Sequence, residues 1–524
     1  MTIKSYSKQD TSIIKGFAIL CICLHNFLHW IPPYTGENEF YFSSNCINNF
    51  FEKIASQPSE LVNILFTYLG HYGVQIFIFI SGFGLTLSML KHHKTWLHFI
   101  VDRLKKLYPL LITAILFYIL FTIFIYSKFP SEMQFKELGY KLLFIHTLLP
   151  YQGLSINGPW WFFGLIFQFY LVFPVLFYLI KKYNVKAFLI ICLCSYAWSF
   201  ASLYYLPNVF EVYYFQNFPA HLPEFCFGIL LALNKDKKLN NIFFFIALAL
   251  FCLGNYYQIF FPFTFLAITI ISVFTYQCLK NIQINKTLLR KFLIFFGNIS
   301  MTLFAVHGFL RNPFVKLSDT ILNSPLGHLT TAILFLIAAV IISLAANHVY
   351  NFFVALFDKI KLPEKHNKTF LIISRTLQVA LIILSSYILI YFINQNNFDN
   401  VKKYSDYESV ENISISSTKE YSDITKVHID KRSKKLKIEG YLDIKKDTDS
   451  KLPPLVLDIK GILWKELKLT ETNVTSDFNT YSFDYEYACP FINNLKNKDV
   501  KLYFWNKDKT NFEYRNVSFS ISTN

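Results

Sequence analysis

The sequence predicts an all-α polytopic membrane bundle, with about ten core transmembrane helices plus one, followed by a small β-sandwich domain. Three observations support this fold class. Of the 524 residues, 53% are hydrophobic and 16% are charged, which is more apolar than a soluble domain. Apolar runs of about 20 residues follow one another along most of the chain. Near the C-terminus, apolar and polar residues alternate instead, as they do in β-strands.

The apolar runs predict eleven membrane spans. The division between the seventh and the eighth span depends on Asn255 and Pro262, which interrupt one long apolar stretch. The predicted spans are residues 12–30, 64–89, 108–126, 159–180, 187–205, 217–233, 241–258, 260–279, 291–310, 329–350 and 369–393.

The distribution of basic residues predicts the orientation of these spans. With the N-terminus in the cytoplasm, the inside segments carry 22 Lys and Arg residues and the outside loops carry six. Such an excess is typical of cytoplasmic loops. We therefore expect a multi-pass protein of a cell inner or plasma membrane, with a cytoplasmic N-terminus and an extracytoplasmic C-terminal domain. Because the basic residues lie in short loops, the net charge of +16 indicates a lipid bilayer partner and no nucleic acid.

The composition changes divide the chain into four parts. We expect a membrane domain at 1–360, an additional transmembrane helix at 361–395, a linker at 396–425 and an extracytoplasmic β-sandwich at 426–524. The β region shows no catalytic constellation, so a scaffold or glycan-binding module is the interpretation we favour. Its strands are predicted at residues 434–444, 455–460, 481–487, 500–505 and 517–521.

The first span carries Lys15 and His25 within an apolar helix. Ten residues of α-helix separate them by about 15 Å along the axis. A polar group at membrane depth costs free energy, so His25 either has a function or hydrogen-bonds to a neighbouring helix. Lys15 could simply reach the cytoplasmic interface. His29 follows one turn after His25, but no carboxylate is close in the sequence, so no metal site is expected.

A basic cluster, Arg103, Lys105 and Lys106, precedes the third span. It is explained either by the positive-inside rule or by the binding of a phosphorylated donor on the cytoplasmic side.

In the second predicted span, Gly73 and Gly82 permit close helix packing. Packing does not explain Gln75, a polar group at membrane depth.

Six short blocks of residues occur in order between about residues 10 and 350. The blocks are Lys15 with His25; Gly73-Val74, Phe77 and Ser81-Gly82; Arg103, Lys106, Tyr108 and Pro109; Trp160-Trp161 with Tyr170 and Pro174; Pro223-Glu224-Phe225 with Gly228; and Gly297, Ser300 and His307. Together they resemble the acyltransferase 3 family of integral-membrane acyltransferases.

Two positions depart from the pattern of the family. Lys15 stands where the family usually has Arg, which keeps the charge but loses a bidentate grip on phosphate. Gln75 stands where an acidic residue is common, so no charge-relay role is placed there. The eleventh span and the β domain lie outside the family core and resemble a variation seen in this family.

The resemblance implies transfer of an acyl group, acetyl in the simplest case, from cytoplasmic acyl-CoA across the membrane. The acceptor would be a hydroxyl of a cell-envelope polysaccharide or glycolipid. His25 would be the general base, a role that suits an imidazole. Glu224 and His307 are second candidates for the catalytic set, with helix–helix hydrogen bonding as the equal alternative. The CoA phosphates would be bound by Lys15, Arg103, Lys105 and Lys106.

Two other functions stay open at this point. One is a multi-span transporter or flippase for an envelope glycan or its precursor, in which His25, Glu224 and His307 form a proton path. No inverted repeat is evident to support it. The other is a non-catalytic sensor or scaffold whose β domain binds glycan.

Overall fold

The computed structural model divides the chain into a helical unit and a C-terminal β unit. We describe each unit by itself. The described residues are 6–92, 94–149, 151–204, 214–234, 240–281, 288–359, 403–404, 413–416, 418–429, 435–446, 452–459, 463–474, 478–488, 495, 498–507 and 510–523.

The helical unit contains thirteen α-helices among its described residues. They are α1 Lys8–Leu28, α2 Ser44–Ser56, α3 Leu61–Leu69, α4 Gly73–Lys91, α5 Trp96–Tyr126, α6 Glu132–Leu142, α7 Trp161–Tyr183, α8 Val185–Tyr204, α9 Leu222–Leu233, α10 Ile242–Tyr256, α11 Thr264–Asn281, α12 Leu288–Thr320 and α13 Pro325–Asp358.

The predicted helical bundle is confirmed. In the described part of the chain, eight helical segments are long and apolar enough to cross a membrane, and two further apolar helices, Phe218–Leu233 and Ile242–Tyr256, are shorter. These ten segments match the ten predicted core spans. Helix α10 ends at Tyr256 and α11 begins at Thr264, so the chain does break where Asn255 and Pro262 predict it. The eleventh predicted span, 369–393, lies outside the described residues.

Helices α1 and α12 run parallel and in close contact. Arg290 donates to the Gln9 side chain at 2.6 Å, and the Ser12 hydroxyl donates to Asn298 at 3.3 Å. One turn after Ser12, a Cβ added at Gly16 would lie 1.9 Å from the carbonyl oxygen of Leu293. No side chain fits such an approach, so glycine allows the two backbones to touch.

The first turn of α1 is fixed by Asp10. Its carboxylate closes a capping box with Ser7, which satisfies free N–H groups at the start of the helix. The same carboxylate accepts a hydrogen bond from Tyr276 at 2.5 Å and pairs with Lys280 at 2.8 Å. Tyr276 and Lys280 both lie on α11, so this end of α1 is joined to a second helix.

The β unit is built from two antiparallel sheets. One has the order β1-β10-β4-β8-β7 with β2 also paired to β10, and the other has the order β3-β9-β5-β6. The strands are β1 Lys403–Tyr404, β2 Ile413–Ile415, β3 Tyr421–Ile429, β4 Lys435–Lys446, β5 Leu455–Ile459, β6 Leu463–Leu467, β7 Thr470–Val474, β8 Asn479–Ala488, β9 Lys498–Trp505 and β10 Phe512–Thr523.

The predicted β-sandwich is therefore also confirmed, and its five predicted strands correspond to β4, β5, β8, β9 and β10. Inward side chains such as Ile438, Leu457 and Phe504 are fully buried and form its core. Strands β1, β2 and the start of β3 fall within 396–425, the segment predicted as a linker. They pair with β10 and β9, so the β unit takes in part of that segment.

Helices α4 and α9 pack through a second pair of glycines. A Cβ at Gly82 would lie 2.1 Å from the carbonyl oxygen of Phe225, and a Cβ at Gly228 would lie 2.2 Å from that of Phe79. Gly84, two residues along α4, has open space where its Cβ would be. Gly82 and Gly84 therefore provide a matched pair for a test of helix packing.

We predict that Gly82→Ala destabilises the helical unit by about 1–3 kcal/mol, because backbone atoms cannot move aside as a flexible side chain can. Gly84→Ala should be neutral or stabilising by up to about 1 kcal/mol, since alanine favours the helix. Thermal unfolding of the purified proteins in detergent compares them. Equal melting temperatures for the two variants would contradict the close α4–α9 contact.

Candidate functional site

His25 is held on α1 in a single ring orientation. Its Nδ1 lies 3.0 Å from the carbonyl oxygen of Thr67 and 3.3 Å from that of Phe66, at the end of α3. A carbonyl oxygen can only accept, so Nδ1 carries the proton. The neutral ring therefore keeps a lone pair on Nε2, which is the atom that a general base uses. The side chain is buried, with 3% exposure.

His307 on α12 is arranged in the same way. Its Nδ1 lies 3.1 Å and 3.0 Å from the carbonyl oxygens of Leu303 and Phe304, so that nitrogen again donates. Its Nε2 is buried and has no hydrogen-bond partner among the described residues. The parallel packing of α1 and α12 brings His307 within electrostatic reach of His25. Two predicted site residues thus come together, each with a free Nε2.

Arg311 lies one turn after His307 and adds a positive charge to this cluster. It interacts electrostatically with both His25 and His307. Its guanidinium lies over the ring of Trp30, 4.7 Å from the centroid, which is a cation–π contact. Within the described residues, no carboxylate forms an ion pair with Arg311. The charge is therefore available to an anion that forms or binds beside the imidazoles.

Glu37 completes the cluster from the segment after α1. The ring centroids of His25 and His29 are 4.9 Å apart, and ligand atoms of His25, His29 and Glu37 all lie within 4.8 Å of one another. Burial raises the pKa of the Glu37 carboxyl to about 7. The pKa of Glu39 is also raised, by burial first and then by the charge of Glu37. A carboxyl that gains and loses its proton near neutral pH can exchange protons with imidazole.

In the part of the chain that the structure describes, His25, His29 and Glu37 form a group whose donor atoms could hold a metal ion. Two imidazoles and a carboxylate are ligands that zinc accepts. Donors bound 2.0–2.1 Å from one tetrahedral zinc ion would lie only about 3.3 Å apart. The group of His25, His29 and Glu37 would have to contract before it could bind zinc as a closed site. Glu37 nevertheless supplies the carboxylate whose absence from the nearby sequence argued against a metal.

Glu224 lies in a different group. Its Oε1 is 2.7 Å from Nδ1 of His221, whose Nε2 is 2.7 Å from the carbonyl oxygen of Phe215. Because Nε2 must donate to that carbonyl, a single proton is shared between Nδ1 and the carboxylate. Glu224 is fully buried, and His221 packs between the rings of Trp161 and Phe265. These contacts favour the structural role for Glu224 that the sequence left open.

The basic candidates lie on two helices. Arg103 and Lys106 are one turn apart on α5 and interact electrostatically, and Lys105 lies between them in the sequence. The Arg103 guanidinium lies over the ring of Phe99, 5.5 Å from its centroid. Lys15 is half-buried on α1, where the like charge of Lys8 on the same helix repels it. The structure thus places Arg103, Lys105 and Lys106 on one helix and Lys15 on another.

Sequence reasoning did not find Glu37, Arg311, His71 or His221. The ring of His71 is fully buried at 5.5 Å from that of His25. Arg311 carried a usable signal, because it follows His307 at the i+4 spacing that places two residues on one helix face. Glu37 carried none, since it lies in an irregular segment whose path depends on contacts such as that of Asn63 with the Pro32 carbonyl, at 2.7 Å.

Comparison with known proteins identifies the family of this chain. Neither the curated proteins nor the solved structures include a match. The family model that describes an acyltransferase domain matches residues 11–348, well over half of the 524 residues. That range includes every residue of the His25–His307 cluster, and it confirms the resemblance of the six sequence blocks. The chain belongs to the acyltransferase 3 family.

Proposed function

We propose that this protein transfers an acyl group, acetyl in the simplest case, from cytoplasmic acyl-CoA to a hydroxyl of a cell-envelope polysaccharide or glycolipid. The protein would lie in a cell inner or plasma membrane, with its N-terminus in the cytoplasm and its β unit outside. The observation that carries the proposal is the orientation of His25. Its Nδ1 is fixed to the Thr67 carbonyl, which leaves Nε2 as a base inside a membrane acyltransferase domain.

The proposed reaction is a direct acyl transfer. Nε2 of His25 takes the proton of the acceptor hydroxyl while the hydroxyl oxygen attacks the carbonyl carbon of the thioester. A new C–O bond forms, the C–S bond of the thioester breaks, and the thiolate of CoA leaves with the electron pair. The proton held by His25 then passes to the thiolate, so the products are an ester and CoA. A positioned base of this kind contributes about 10²–10⁴-fold to the rate.

Arg311 and His307 would assist from the neighbouring helix. The carbonyl oxygen of the thioester gains negative charge during attack, and a fixed positive charge in a dry site stabilises it. Arg311 would supply this charge, because it interacts electrostatically with both imidazoles and has no ion pair among the described residues. His307 offers its unpartnered Nε2 to a second hydroxyl of the acceptor or to a proton relay. Glu37 would exchange protons with the His25–His29 pair.

Donor binding is proposed at the opposite end of α1. Lys15, Arg103, Lys105 and Lys106 would hold the phosphates of CoA, with the pantetheine arm extended along α1 towards His25. The parallel arrangement of α1 and α12 supports the charge-derived topology, because the first and ninth predicted spans cross the membrane in the same direction. Arginine would hold phosphate with two parallel hydrogen bonds, so Arg103 is the stronger phosphate ligand of the set.

We predict that acyl transfer depends on acyl-CoA supplied from the cytoplasmic side. Inverted membrane vesicles that contain the protein and its native glycans should move label from [¹⁴C]acetyl-CoA into alkali-labile esters of the glycan. Right-side-out vesicles, which are impermeable to CoA, should not. Vesicles from a deletion strain provide the control. Labelling of right-side-out vesicles alone would overturn the topology, and glycan movement without acyl-CoA would favour a transporter.

We predict that His25→Asn lowers glycan acylation by about 10²–10⁴-fold. An Asn amide can still donate to the Thr67 carbonyl, so the contact that positions α3 is kept while the basic Nε2 is lost. His348→Ala, which removes an exposed histidine of α13, is the matched control and should keep wild-type activity. Mass spectrometry of glycan esters measures the effect, with melting temperature as the test of folding. More than a tenth of wild-type acylation in the Asn variant would exclude His25 as the base.

We predict that zinc inhibits the protein although no metal is needed for activity. Micromolar Zn²⁺ should bind His25, His29 and Glu37 and block the base, and EDTA should restore the rate. Glu37→Gln keeps the size of the side chain but weakens this ligand, so the inhibition constant for zinc should rise by about 10–100-fold. Each rate is compared with that of the same variant without zinc. Loss of activity with EDTA alone, and its return with zinc, would indicate a resident metal instead.

A further inference from the structure

The four-stranded sheet of the β unit has an unusual outer face. Along β9, Val500, Leu502 and Phe504 are fully buried, so they face the core. The alternate residues of the strand, among them Tyr503 and Trp505, must point to the other side. The outer face of an antiparallel sheet is ordinarily polar. Here large aromatic side chains occupy it.

Four of these side chains form one group, which we call the aromatic platform: Tyr421, Trp464, Tyr503 and Trp505. Tyr421 lies directly across from Trp505 in the β3–β9 register. The rings of Tyr421 and Tyr503 are 5.8 Å apart, and those of Trp464 and Trp505 are 5.6 Å apart, both in edge-to-face contact. The platform therefore extends across the sheet from β3 to β6.

Two of the four platform rings are exposed, Tyr503 and Trp505 are half-buried, and contacts within the group fix the rings. Tyr421 is 49% exposed and Trp464 is 45% exposed. The indole N–H of Trp464 donates to the hydroxyl of Tyr503 at 2.9 Å, and the ammonium of Lys507 lies 5.3 Å from the ring centroid of Trp505. Such contacts hold the ring planes before any ligand arrives, which lowers the entropy that binding must overcome. Contiguous exposed apolar surface of this kind commonly marks a binding site.

Hydrogen-bonding side chains lie among the rings. Asp423 pairs in register with Tyr503, and Asp458 lies across from both Lys501 and Trp464. Both carboxylates interact electrostatically with the Tyr503 hydroxyl. The outer face therefore carries hydrogen-bonding groups and aromatic ring faces side by side. Neighbouring strands lie about 4.7–4.9 Å apart, so these groups follow one another at that spacing across the sheet.

We propose that the aromatic platform binds a neutral carbohydrate chain, with the C–H faces of its sugar rings on the aromatic rings and its hydroxyls on Asp423, Asp458 and Lys501. A sugar presents an apolar face and a polar edge, and this surface alternates in the same way. An apolar protein segment would instead take those charged groups out of water and offer them no hydrogen bonds, at high cost. The mixed signs of the charges also do not favour an anionic ligand. This inference goes beyond acyl transfer and does not depend on it.

The test measures sugar binding to the full-length protein in lipid nanodiscs, without acyl-CoA. The probes are immobilised linear hexasaccharides of glucose, mannose, galactose and N-acetylglucosamine. We expect the wild type to bind at least one of them. The double variant Tyr421→Ala/Trp464→Ala should weaken that binding by tenfold or more. Tyr441→Ala is the matched control, because Tyr441 is 52% exposed on β4 of the other sheet and should not contribute.

Folding is checked by far-UV circular dichroism and by resistance of the β unit to proteolysis. Trp464→Phe provides a second variant, which keeps a ring and should retain most of the affinity. Absence of binding to all four probes, or unchanged affinity in a folded double variant, would overturn the platform. Equal losses for Tyr441→Ala would overturn it as well. A protein that binds sugar but transfers no acyl group would uphold this inference while rejecting the proposed function.

Discussion

The packing of α1 against α12 is the constraint on which the site depends. The two helices run parallel from the Gln9–Arg290 contact to the Trp30–Arg311 contact. Between these contacts, their backbones touch at Gly16. This register places His25 and His307 within electrostatic reach of each other. A larger residue at Gly16 would separate the helices at that point and misplace both imidazoles, although neither is near the glycine in sequence. The geometry of the candidate site thus depends on a backbone contact at Gly16, about two and a half helical turns from His25.

The lipid environment explains why both imidazoles are hydrogen-bonded to the protein through Nδ1. Membrane interiors supply no water to satisfy a polar group, so each ring must find partners within the protein. In both His25 and His307 the partner is a backbone carbonyl, which accepts a hydrogen bond but cannot donate one. Each ring is therefore fixed as the tautomer with Nδ1 protonated. Because the hydrogen bond to the carbonyl fixes the proton on Nδ1, Nε2 of each neutral ring keeps a lone pair that can accept a proton.

Much of the fold and part of the site follow from sequence patterns. Long apolar runs and period-two alternation predict the helices and the main strands, because each pattern reflects which side chains must be buried. The cost of a polar group in lipid singles out His25. Strands β1, β2, β3, β6 and β7 were not predicted, because each is either too short to show a period or lacks a regular alternation of apolar and polar residues. Glu37 lies in an irregular segment that no local period describes. The His221–Glu224 pair, by contrast, has the i,i+3 spacing of neighbours on a helix, which is a signal that the sequence does carry.

The two ends of α1 are held to their neighbours by different kinds of contact. Near Lys15, Asp10 binds Lys280 and Tyr276, so ionic contacts join α1 to α11 at a helix end. Near His25, uncharged hydrogen bonds to the end of α3 do the same work where charge would be costly. Because Lys15 and His25 lie on one helix whose two ends are both held, the axial distance between them is fixed at about 15 Å. In the proposed reaction, a donor that reaches from Lys15 to His25 would therefore meet a span of constant length.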